Sequence, residues 1–249
     1  MMRACITSGC KGGTGKSTLS TLLTILYAGV GKRVVLIDTG SNGNSSHIVL
    51  NNPPPPYLRD VLLSENILDA VIKCEIAIKN NVVDFYLIPN NGQIPRIPKE
   101  NIKRSLKELE RFFDIAILDI PAYQNSEYDV FIEQCDIAVL VYNPNQLVLK
   151  SVSRAYTGKC EVIPVLNKYF GVEKYRRYVE KIHGKCLTIP FDPYLSILCS
   201  ENLVNVLLNV SSKTQESLVK LALEIVAARN KSERPKSRNF PRINTILRR

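Results

Sequence analysis

A glycine-rich segment near the amino terminus carries the residue types that bind phosphate groups. Residues 10–18 read Cys-Lys-Gly-Gly-Thr-Gly-Lys-Ser-Thr and lie between an apolar run, residues 4–7, and an apolar-periodic segment, residues 19–30. Glycines let the backbone curl so that several N–H groups point at one place, and a following helix adds its positive N-terminal end. The sequence therefore predicts a strand, an anion-binding loop and a helix, with a polyphosphate as the ligand.

Two side chains in this loop have specific parts in that chemistry. Lys16 is placed to reach the terminal phosphates, and the Ser17 hydroxyl has the type and position of a Mg²⁺ ligand. The strict loop pattern has glycine where this chain has Cys10, so the match is to a variant of the loop. The candidate nucleotide-binding residues of the loop are Gly12, Gly13, Thr14, Gly15, Lys16, Ser17 and Thr18.

Polar residues also follow later apolar runs. Asp38, Asp119 and Asn167 each come directly after such a run, and Asp192 closes the segment 187–192. Ligands of open α/β sheets bind beyond the carboxyl ends of the strands, so these residues should share one rim with the loop. A carboxylate there can hold Mg²⁺ directly or through water, which makes Asp119 the candidate Walker B acid. The alternative is a strand-end aspartate that serves only as a cap.

The elements that must position these residues alternate between two types. Short runs that are apolar on both faces recur along the chain, and segments with helical spacing, such as 101–113 and 172–182, lie between them. This alternation indicates a mostly parallel sheet flanked by helices on both sides. We therefore predict a single doubly wound α/β domain over residues 1–228, ending in a helix over about 214–228.

Most of the positive charge of this 249-residue chain lies at its carboxyl end. Residues 229–249 contain eight Lys or Arg against one acid, Glu233, which gives +7 of the formal net charge of +10. We predict that 229–249 is a basic tail, either flexible or ending in a short amphipathic helix, and that it meets a polyanionic partner. The alternative is a disordered extension that only keeps the protein in solution.

The seven cysteines and the apolar runs bear on cellular location. No Cys-x-x-Cys pair occurs, no apolar run is long enough to span a bilayer, and residues 1–10 lack a signal-peptide core. We therefore expect reduced thiols in a cytoplasmic protein.

The loop, with its extra lysine at position 11, resembles the deviant Walker A loop of the ParA/MinD ATPases. Segments 37–44, 118–121 and 189–192 resemble further family motifs in the family's order, so the resemblance covers roughly residues 1–228. It implies a P-loop NTPase fold that binds ATP and Mg²⁺ and forms a sandwich homodimer in the ATP state.

The resemblance also implies roles for individual residues. Lys11 would be catalytic together with Lys16, crossing to the phosphates bound by the partner subunit. Asp38 would support Mg²⁺ beside Ser17 and Asp119. The adenine would be held by Asn167, Pro190 and Asp192.

One departure from the family pattern concerns hydrolysis. In the family, strand two ends in Asp-x-Asp, and the second aspartate orients the attacking water, whereas this chain has Gly40 at that position. We predict that ATP binding and dimerisation persist while hydrolysis is slow or depends on a partner. Substitution of the missing acid by Asn42 or Asn44 stays open.

The resemblance implies a partitioning or positioning ATPase whose ATP-bound dimer binds an anionic surface and is controlled by a ParB-like or other adaptor or activator. In the ParA-like version, the surface is DNA bound without sequence preference, and the protein is nucleoid-associated. In the MinD-like version, the surface is a membrane, to which the protein attaches peripherally. A hydrolysis-deficient, nucleotide-locked scaffold for localisation or secretion machinery is the third version. The candidate contacts to DNA or membrane are Lys150, Arg154, Arg242, Arg248 and Arg249.

A metal-centre maturation ATPase of the same superfamily is a further alternative. It would need paired cysteines at a dimer interface, and no two cysteines of this chain are spaced for that. Pairing across a dimer stays open.

Overall fold

Eight strands form one sheet in the computed structural model, which describes residues 1–42, 44–64, 66–123, 128–153, 160–198 and 202–232. The strands are β1 Met2–Thr7, β2 Val34–Asp38, β3 Ile72–Ile78, β4 Asn81–Ile88, β5 Ile115–Asp119, β6 Ile137–Tyr142, β7 Glu161–Tyr169 and β8 Leu187–Pro190. Their spatial order is β3-β4-β2-β5-β1-β6-β7-β8. All neighbours run parallel except β3 and β4, which pair antiparallel.

Helices cover both faces of this sheet. They are α1 Lys16–Gly29, α2 Asn44–Leu50, α3 Leu58–Ser64, α4 Lys99–Leu109, α5 Asp129–Ile132, α6 Gln146–Val152, α7 Glu173–His183, α8 Pro193–Ser196, α9 Leu203–Asn209 and α10 Ser212–Ser232, with a 3₁₀ turn at Ile67–Ala70. One core lies between the sheet and α1, α9 and α10, and a second lies between the opposite face and α3, α4 and α5. The predicted doubly wound, mostly parallel fold is confirmed.

Three of the central strands, β2, β5 and β6, are buried along their whole length because helices lie on both faces of the sheet. Every residue of β2, β5 and β6 is buried, and these are the runs in which the sequence shows no polar face. The sheet therefore presents its central carboxyl ends, and the loops that follow them, as one rim.

Strand β3 and the last helix are among the elements that differ from the sequence predictions. Strand β3 was not predicted, although its residues alternate between exposed and buried as an edge strand requires. The last helix begins at Ser212 and runs to Ser232, so it continues past the predicted end at Ala228 into the segment predicted as tail. None of the helices in the described ranges has both the length and the apolar character needed to cross a membrane.

Candidate functional site

The loop between β1 and α1 has the geometry that its glycines predict. Gly13 and Gly15 adopt left-handed backbone conformations, with φ of +71° and +93°. A residue with a Cβ rarely adopts such angles, so these two positions favour glycine. Gly15 is the N-cap residue directly before α1, and the first N–H groups of α1 therefore point into the loop.

Lys16 is the buried cation of this loop. Its side chain is only 7% exposed, and its Nζ donates to the Lys11 carbonyl at 3.4 Å. Burial lowers the pKa of Lys16, and the negative charge of Asp119 opposes that change. An ammonium group held by one long hydrogen bond in a buried position needs an anion beside it, which phosphate oxygens would supply.

Two carboxylates lie side by side beneath the loop. Asp38 and Asp119 are paired in the register of the neighbouring parallel strands β2 and β5, and neither is exposed. Burial, followed by repulsion from Asp119, raises the pKa of Asp38 to about 7, against hydrogen bonds from Ser46 and Gly40. Burial also raises the pKa of Asp119, against the nearby Ser17 hydroxyl and the Lys16 ammonium.

The partners of the two carboxylates differ. Asp38 accepts from the Gly40 N–H at 2.8 Å and from the N–H and hydroxyl of Ser46 at 2.8 and 2.7 Å. Asp119 accepts a long bond from the Ser20 hydroxyl at 3.4 Å and lies near the hydroxyls of Ser17 and Ser45, while its Oδ2 is buried without a close hydrogen-bond partner. Because buried polar atoms are almost always paired, this oxygen indicates a missing ligand.

The donor set around Asp119 fits a magnesium ion. Mg²⁺ prefers oxygen ligands and usually keeps several waters alongside one or two carboxylates. Ser17 supplies a hydroxyl at the cleft wall, and Asp119 supplies the unpaired oxygen. Ser17 and Asp119 are two of the three predicted Mg²⁺ ligands, and the oxygens of the third, Asp38, accept hydrogen bonds from Gly40 and Ser46, so the metal role of all three stays a prediction.

A cleft of about 600 Å³ opens above these residues. Its wall contains predicted nucleotide-binding residues from the loop and from the ends of β7 and β8, together with residues of the segment after β2. Thr14 is fully buried beneath the surface, and Lys11 is half-buried and outside the wall. The lining includes Gly12, Gly13, Gly15, Lys16, Ser17, Thr18, Ser41, Asn42, Asn44, Asn167, Lys168, Pro190 and Asp192.

The end of β7 holds the loop by side-chain hydrogen bonds. The Asn167 amide donates to the Thr14 carbonyl at 2.8 Å, and the Lys168 ammonium donates to the Gly13 carbonyl at 3.0 Å. Asn167 therefore lines the cleft while its amide nitrogen donates within the protein, and its predicted contact with the base stays a prediction. Lys168 was not predicted as a site residue, although it directly follows Asn167 at the end of the same run.

Asp192 has partners within the protein on both oxygens. Oδ1 accepts from the Tyr194 N–H at 3.1 Å, and Oδ2 accepts from the N–H and hydroxyl of Ser211 at 3.0 and 2.9 Å. Burial acts to raise its pKa, but these hydrogen bonds together hold the pKa below the ordinary value. Asp192 thus caps α8 and holds Ser211, the residue before α10. Asp192 and Pro190 also line the cleft.

The segment after β2 is held by a buried asparagine that the sequence reasoning missed. Asn90 is fully buried, and its amide donates to the Gly40 carbonyl at 2.8 Å and to the Gly92 carbonyl at 3.1 Å. The Gly92 N–H donates in turn to the Ser41 carbonyl at 2.6 Å. Asn90 follows β4, so the rule that selected Asn167 after its apolar run could have found it.

Of the residues predicted to contact DNA or a membrane, Lys150 lies within the described residues. Lys150 is an exposed residue of α6, beside Ser151, whose hydroxyl contacts the Cys10 thiol at 2.7 Å. Arg154, Arg242, Arg248 and Arg249 lie outside the described residues. Within the described ranges, no group of three or more His, Cys, Asp or Glu side chains forms a further metal cluster.

Comparisons with known proteins agree with this architecture. A family model described as an AAA domain matches residues 2–172. The septum site-determining protein MinD of Bacillus subtilis is 28% identical over 186 residues, which cover 72% of this chain. The match spans 64% of the Bacillus protein, so the chain corresponds to less than two thirds of that relative.

Two solved structures have the same fold. MinD from Pyrococcus horikoshii, complexed with Mg-ADP, superposes with a TM-score of 0.74 at 21% identity and covers 94% of this chain and 99% of its own. The MinC:MinD complex of Aquifex aeolicus has a TM-score of 0.73 at 22% identity, covering 97% and 99%. At these identities, the two likenesses establish the fold.

Proposed function

The chain belongs to the ParA/MinD family of P-loop ATPases, and from that premise we propose that it binds Mg-ATP, dimerises over it and hydrolyses it slowly. The observation that carries the proposal is the unpaired, buried Oδ2 of Asp119 beneath Lys16 and Ser17. A protein that needed no ligand there would not retain a partly satisfied acid pair in its interior.

The orientation of the nucleotide follows from the two ends of the cleft. The loop and the start of α1 would take the phosphates, with the metal between the phosphates and Ser17, Asp119 and Asp38. The rim at Asn167 and at 190–192 would take the base. The Pyrococcus MinD structure is complexed with Mg-ADP, which supports a magnesium-bound nucleotide as the ligand.

The chain's own residues supply the charge that phosphoryl transfer needs. Lys16 would neutralise the terminal phosphate oxygens, and its burial makes that charge effective. Lys11, which lies outside the cleft wall of its own subunit, would reach the phosphates of a second copy in the sandwich dimer. Magnesium, when bound, would neutralise charge on the terminal phosphates.

Slow hydrolysis is expected from the residue at position 40, just after β2. Gly40 offers no side-chain acceptor for the attacking water, and a water that is not oriented can cost about 10²-fold in rate. We therefore propose that an adaptor or activator, ParB-like in its role, controls turnover. The Aquifex complex, in which a MinD binds MinC, supports control by a partner protein.

The ATP-bound dimer would bind an anionic surface. We propose DNA bound without sequence preference, contacted by Lys150 and the basic residues of 229–249, for partitioning or positioning in the cytoplasm at the nucleoid. A membrane is the second candidate, as the MinD-like version of the resemblance implies. A nucleotide-locked scaffold for localisation or secretion machinery would result if turnover stayed negligible.

Titration calorimetry with Mg-ATP tests the central proposal. We expect the native chain to bind, and Lys16→Ala to bind roughly 10- to 100-fold more weakly, because the charged hydrogen bonds to phosphate are lost. Lys107→Ala is the matched control, since it removes an exposed lysine of α4. No heat with the native chain, or equal affinity in Lys16→Ala, would contradict the proposal.

The bound surface is decided by comparing DNA retardation with sedimentation on phosphatidylglycerol vesicles, both with and without ATP. We expect ATP-dependent DNA binding that weakens steeply with salt and is reduced when Arg242, Arg248 and Arg249 are replaced together by Glu. Vesicle binding without DNA binding would select the membrane version. Binding to neither surface would favour the scaffold.

A further inference from the structure

Asn90 lies two residues after β4, where three segments of the chain meet. Its amide donates to the Gly40 carbonyl at 2.8 Å, and its Oδ1 accepts from the Arg59 N–H of α3 at 3.2 Å. Its backbone N–H donates to the Ser46 hydroxyl of α2 at 3.4 Å. Resting on the proposed binding of Mg-ATP, we propose that Asn90 is a positioning residue that sets the Mg²⁺-dependent part of the nucleotide affinity.

Two partners of Asn90 are also the residues that hold Asp38. The Gly40 N–H donates to the Asp38 Oδ1 at 2.8 Å, and the Ser46 N–H and hydroxyl donate to its Oδ2 at 2.8 and 2.7 Å. Asp38 is one of the predicted Mg²⁺ ligands, so Asn90 is separated from that ligand by one residue on each side. Asn90 itself does not line the cleft, and it therefore acts through Gly40 and Ser46.

The Asn90 side chain is fully buried, and its partners require an amide at this place. Nδ2 faces two carbonyls, those of Gly40 and Gly92, at 2.8 and 3.1 Å, and Oδ1 faces an N–H. An amide supplies two donors and an acceptor on one branch point, whereas an ionised carboxylate of the same shape has no donor and repels both carbonyls. Asn90→Asp therefore removes the donor arm and keeps the acceptor for α3.

Firm support of Asp38 matters for a magnesium ion in particular. Mg²⁺ demands near-ideal octahedral geometry, and loss of a residue that hydrogen-bonds a metal ligand costs about 10- to 100-fold in metal affinity. Asn90 is one residue further from the metal than such a partner, so its effect should be smaller.

The phosphate loop is supported separately from Asn90. The Asn167 amide donates to the Thr14 carbonyl at 2.8 Å, and the Lys168 ammonium donates to the Gly13 carbonyl at 3.0 Å. The affinity for ATP without a metal should therefore be independent of Asn90. This difference separates a positioning role from a general contribution to the fold.

The test measures the affinity for ATP by calorimetry, once with excess Mg²⁺ and once with EDTA, in full-length proteins. Asn90→Ala and Asn90→Asp break the junction directly, and Ser46→Ala breaks its link to Asp38 at the other end. Ser46→Ala also keeps the test decisive if the Asn90 variants do not fold, which denaturant unfolding shows.

Two variants serve as matched controls. Arg59→Ala removes the guanidinium that lies against Gly92 but keeps the backbone N–H that donates to Asn90. Asn202→Ala removes another asparagine that supports the first turn of a helix, since its Oδ1 accepts from the Val204 N–H at 2.8 Å in α9.

We expect the two Asn90 variants and Ser46→Ala to bind Mg-ATP about three- to tenfold more weakly than the native chain. Their affinity for ATP in EDTA should change by less than about twofold, and both controls should stay within about twofold in both conditions.

Hydrogen exchange of the ligand-free proteins gives a second readout that needs neither metal nor nucleotide. In Asn90→Ala, the amide protons of Gly40 and Ser46 should exchange about tenfold faster relative to that of Leu19, which donates to the Gly15 carbonyl in α1. A general loss of stability would instead accelerate all three alike.

The positioning role is overturned if folded Asn90→Ala binds Mg-ATP as tightly as the native chain. It is also overturned if Asn90→Ala or Ser46→Ala loses affinity by the same factor with and without Mg²⁺, or if Arg59→Ala reproduces the effect. Each of these results leaves the proposed function intact as long as the native chain binds Mg-ATP. Failure of the native chain to bind Mg-ATP rejects the proposed function, and the role of Asn90 with it.

Discussion

The cleft has two ends, which we call the phosphate end, around Lys16 and Asp119, and the base end, around Asn167 and Asp192. They differ in how many of their polar groups have hydrogen-bond partners within the protein. At the phosphate end, Asp119 keeps an unpaired buried oxygen and repels Asp38, and Lys16 has one long hydrogen bond. At the base end, both oxygens of Asp192 and the amide nitrogen of Asn167 have partners within the chain. At the phosphate end, the buried polar groups lack partners that a ligand would supply, which lowers the stability of the ligand-free protein. At the base end, folding alone supplies the partners.

The largest effect should be a dependence of the free energy of unfolding on pH in the ligand-free protein, caused by Asp38 at the phosphate end. The pKa of Asp38 is about 7 in the folded state against 3.8 unfolded, so the folded state binds more protons between these values. The free energy of unfolding should therefore fall as the pH rises from about 4 to about 7, by on the order of 2–4 kcal/mol. Urea unfolding at a series of pH values measures this change.

Asp119→Asn isolates the acid pair in that experiment. The amide removes the repelling charge, so the slope between pH 4 and 7 should decrease, although the depressed pKa of His183 acts in the opposite direction in both proteins. The free energy of unfolding could instead change equally with pH in the native chain and in Asp119→Asn. That result would refute the claim that repulsion between Asp38 and Asp119 distinguishes the phosphate end from the base end.

The base end should respond to mutation mainly through stability. Asp192→Ala leaves the Ser211 N–H and hydroxyl and the Tyr194 N–H without their acceptor, and should cost about 2–3 kcal/mol of unfolding free energy. Mg-ATP affinity of the folded protein should fall by less than about tenfold. Chemical denaturation and calorimetry give the two numbers.

Glu216→Ala is the matched control for this prediction, because it removes an exposed carboxylate of α10 and should change stability by less than about 0.5 kcal/mol. If Asp192→Ala were as stable as this control but bound Mg-ATP far more weakly, the base end would be a ligand site of the same kind as the phosphate end.

The smallest effect should come from Lys168, which connects the two ends. Lys168→Ala removes the hydrogen bond to the Gly13 carbonyl and should weaken Mg-ATP binding about three- to tenfold, because the loop loses one of its supports. Calorimetry measures the change, with Lys181→Ala on the exposed side of α7 as the control. Equal affinity in both variants would mean that the loop needs no support from β7.

The phosphate end could be predicted from sequence because its residues are contiguous. Nine consecutive residues contain the glycines, Lys16 and Ser17, and Asp119 ends a fully apolar run. Those patterns depend on local backbone conformation and on the rule that parallel strands end at one edge. The sheet, and a shared rim for Asp38 and Asp119, followed from the same reasoning, whereas their direct pairing in neighbouring strands did not.

The remaining features depend on contacts between distant segments. The bonds from Asn167 to the Thr14 carbonyl and from Ser211 to the Asp192 carboxylate leave no local pattern in the sequence, and neither does the packing of Asn44 against Gly40. Strand β3 was missed because an edge strand with one exposed face has fewer apolar residues than the buried runs. The roles of Lys11 and of the tail stay predictions.

The double hydrogen bond between Asp192 and Ser211 has a mechanical consequence. The Asp192 carboxylate joins the turn at 190–192 to Ser211, the residue before α10. The turn can therefore shift only if Ser211 moves with it or if both hydrogen bonds break. That helix leads directly into the basic carboxyl-terminal residues. The start of α10 is thus fixed to the wall of the cleft through a single aspartate, so a displacement of the turn would be transmitted to this helix.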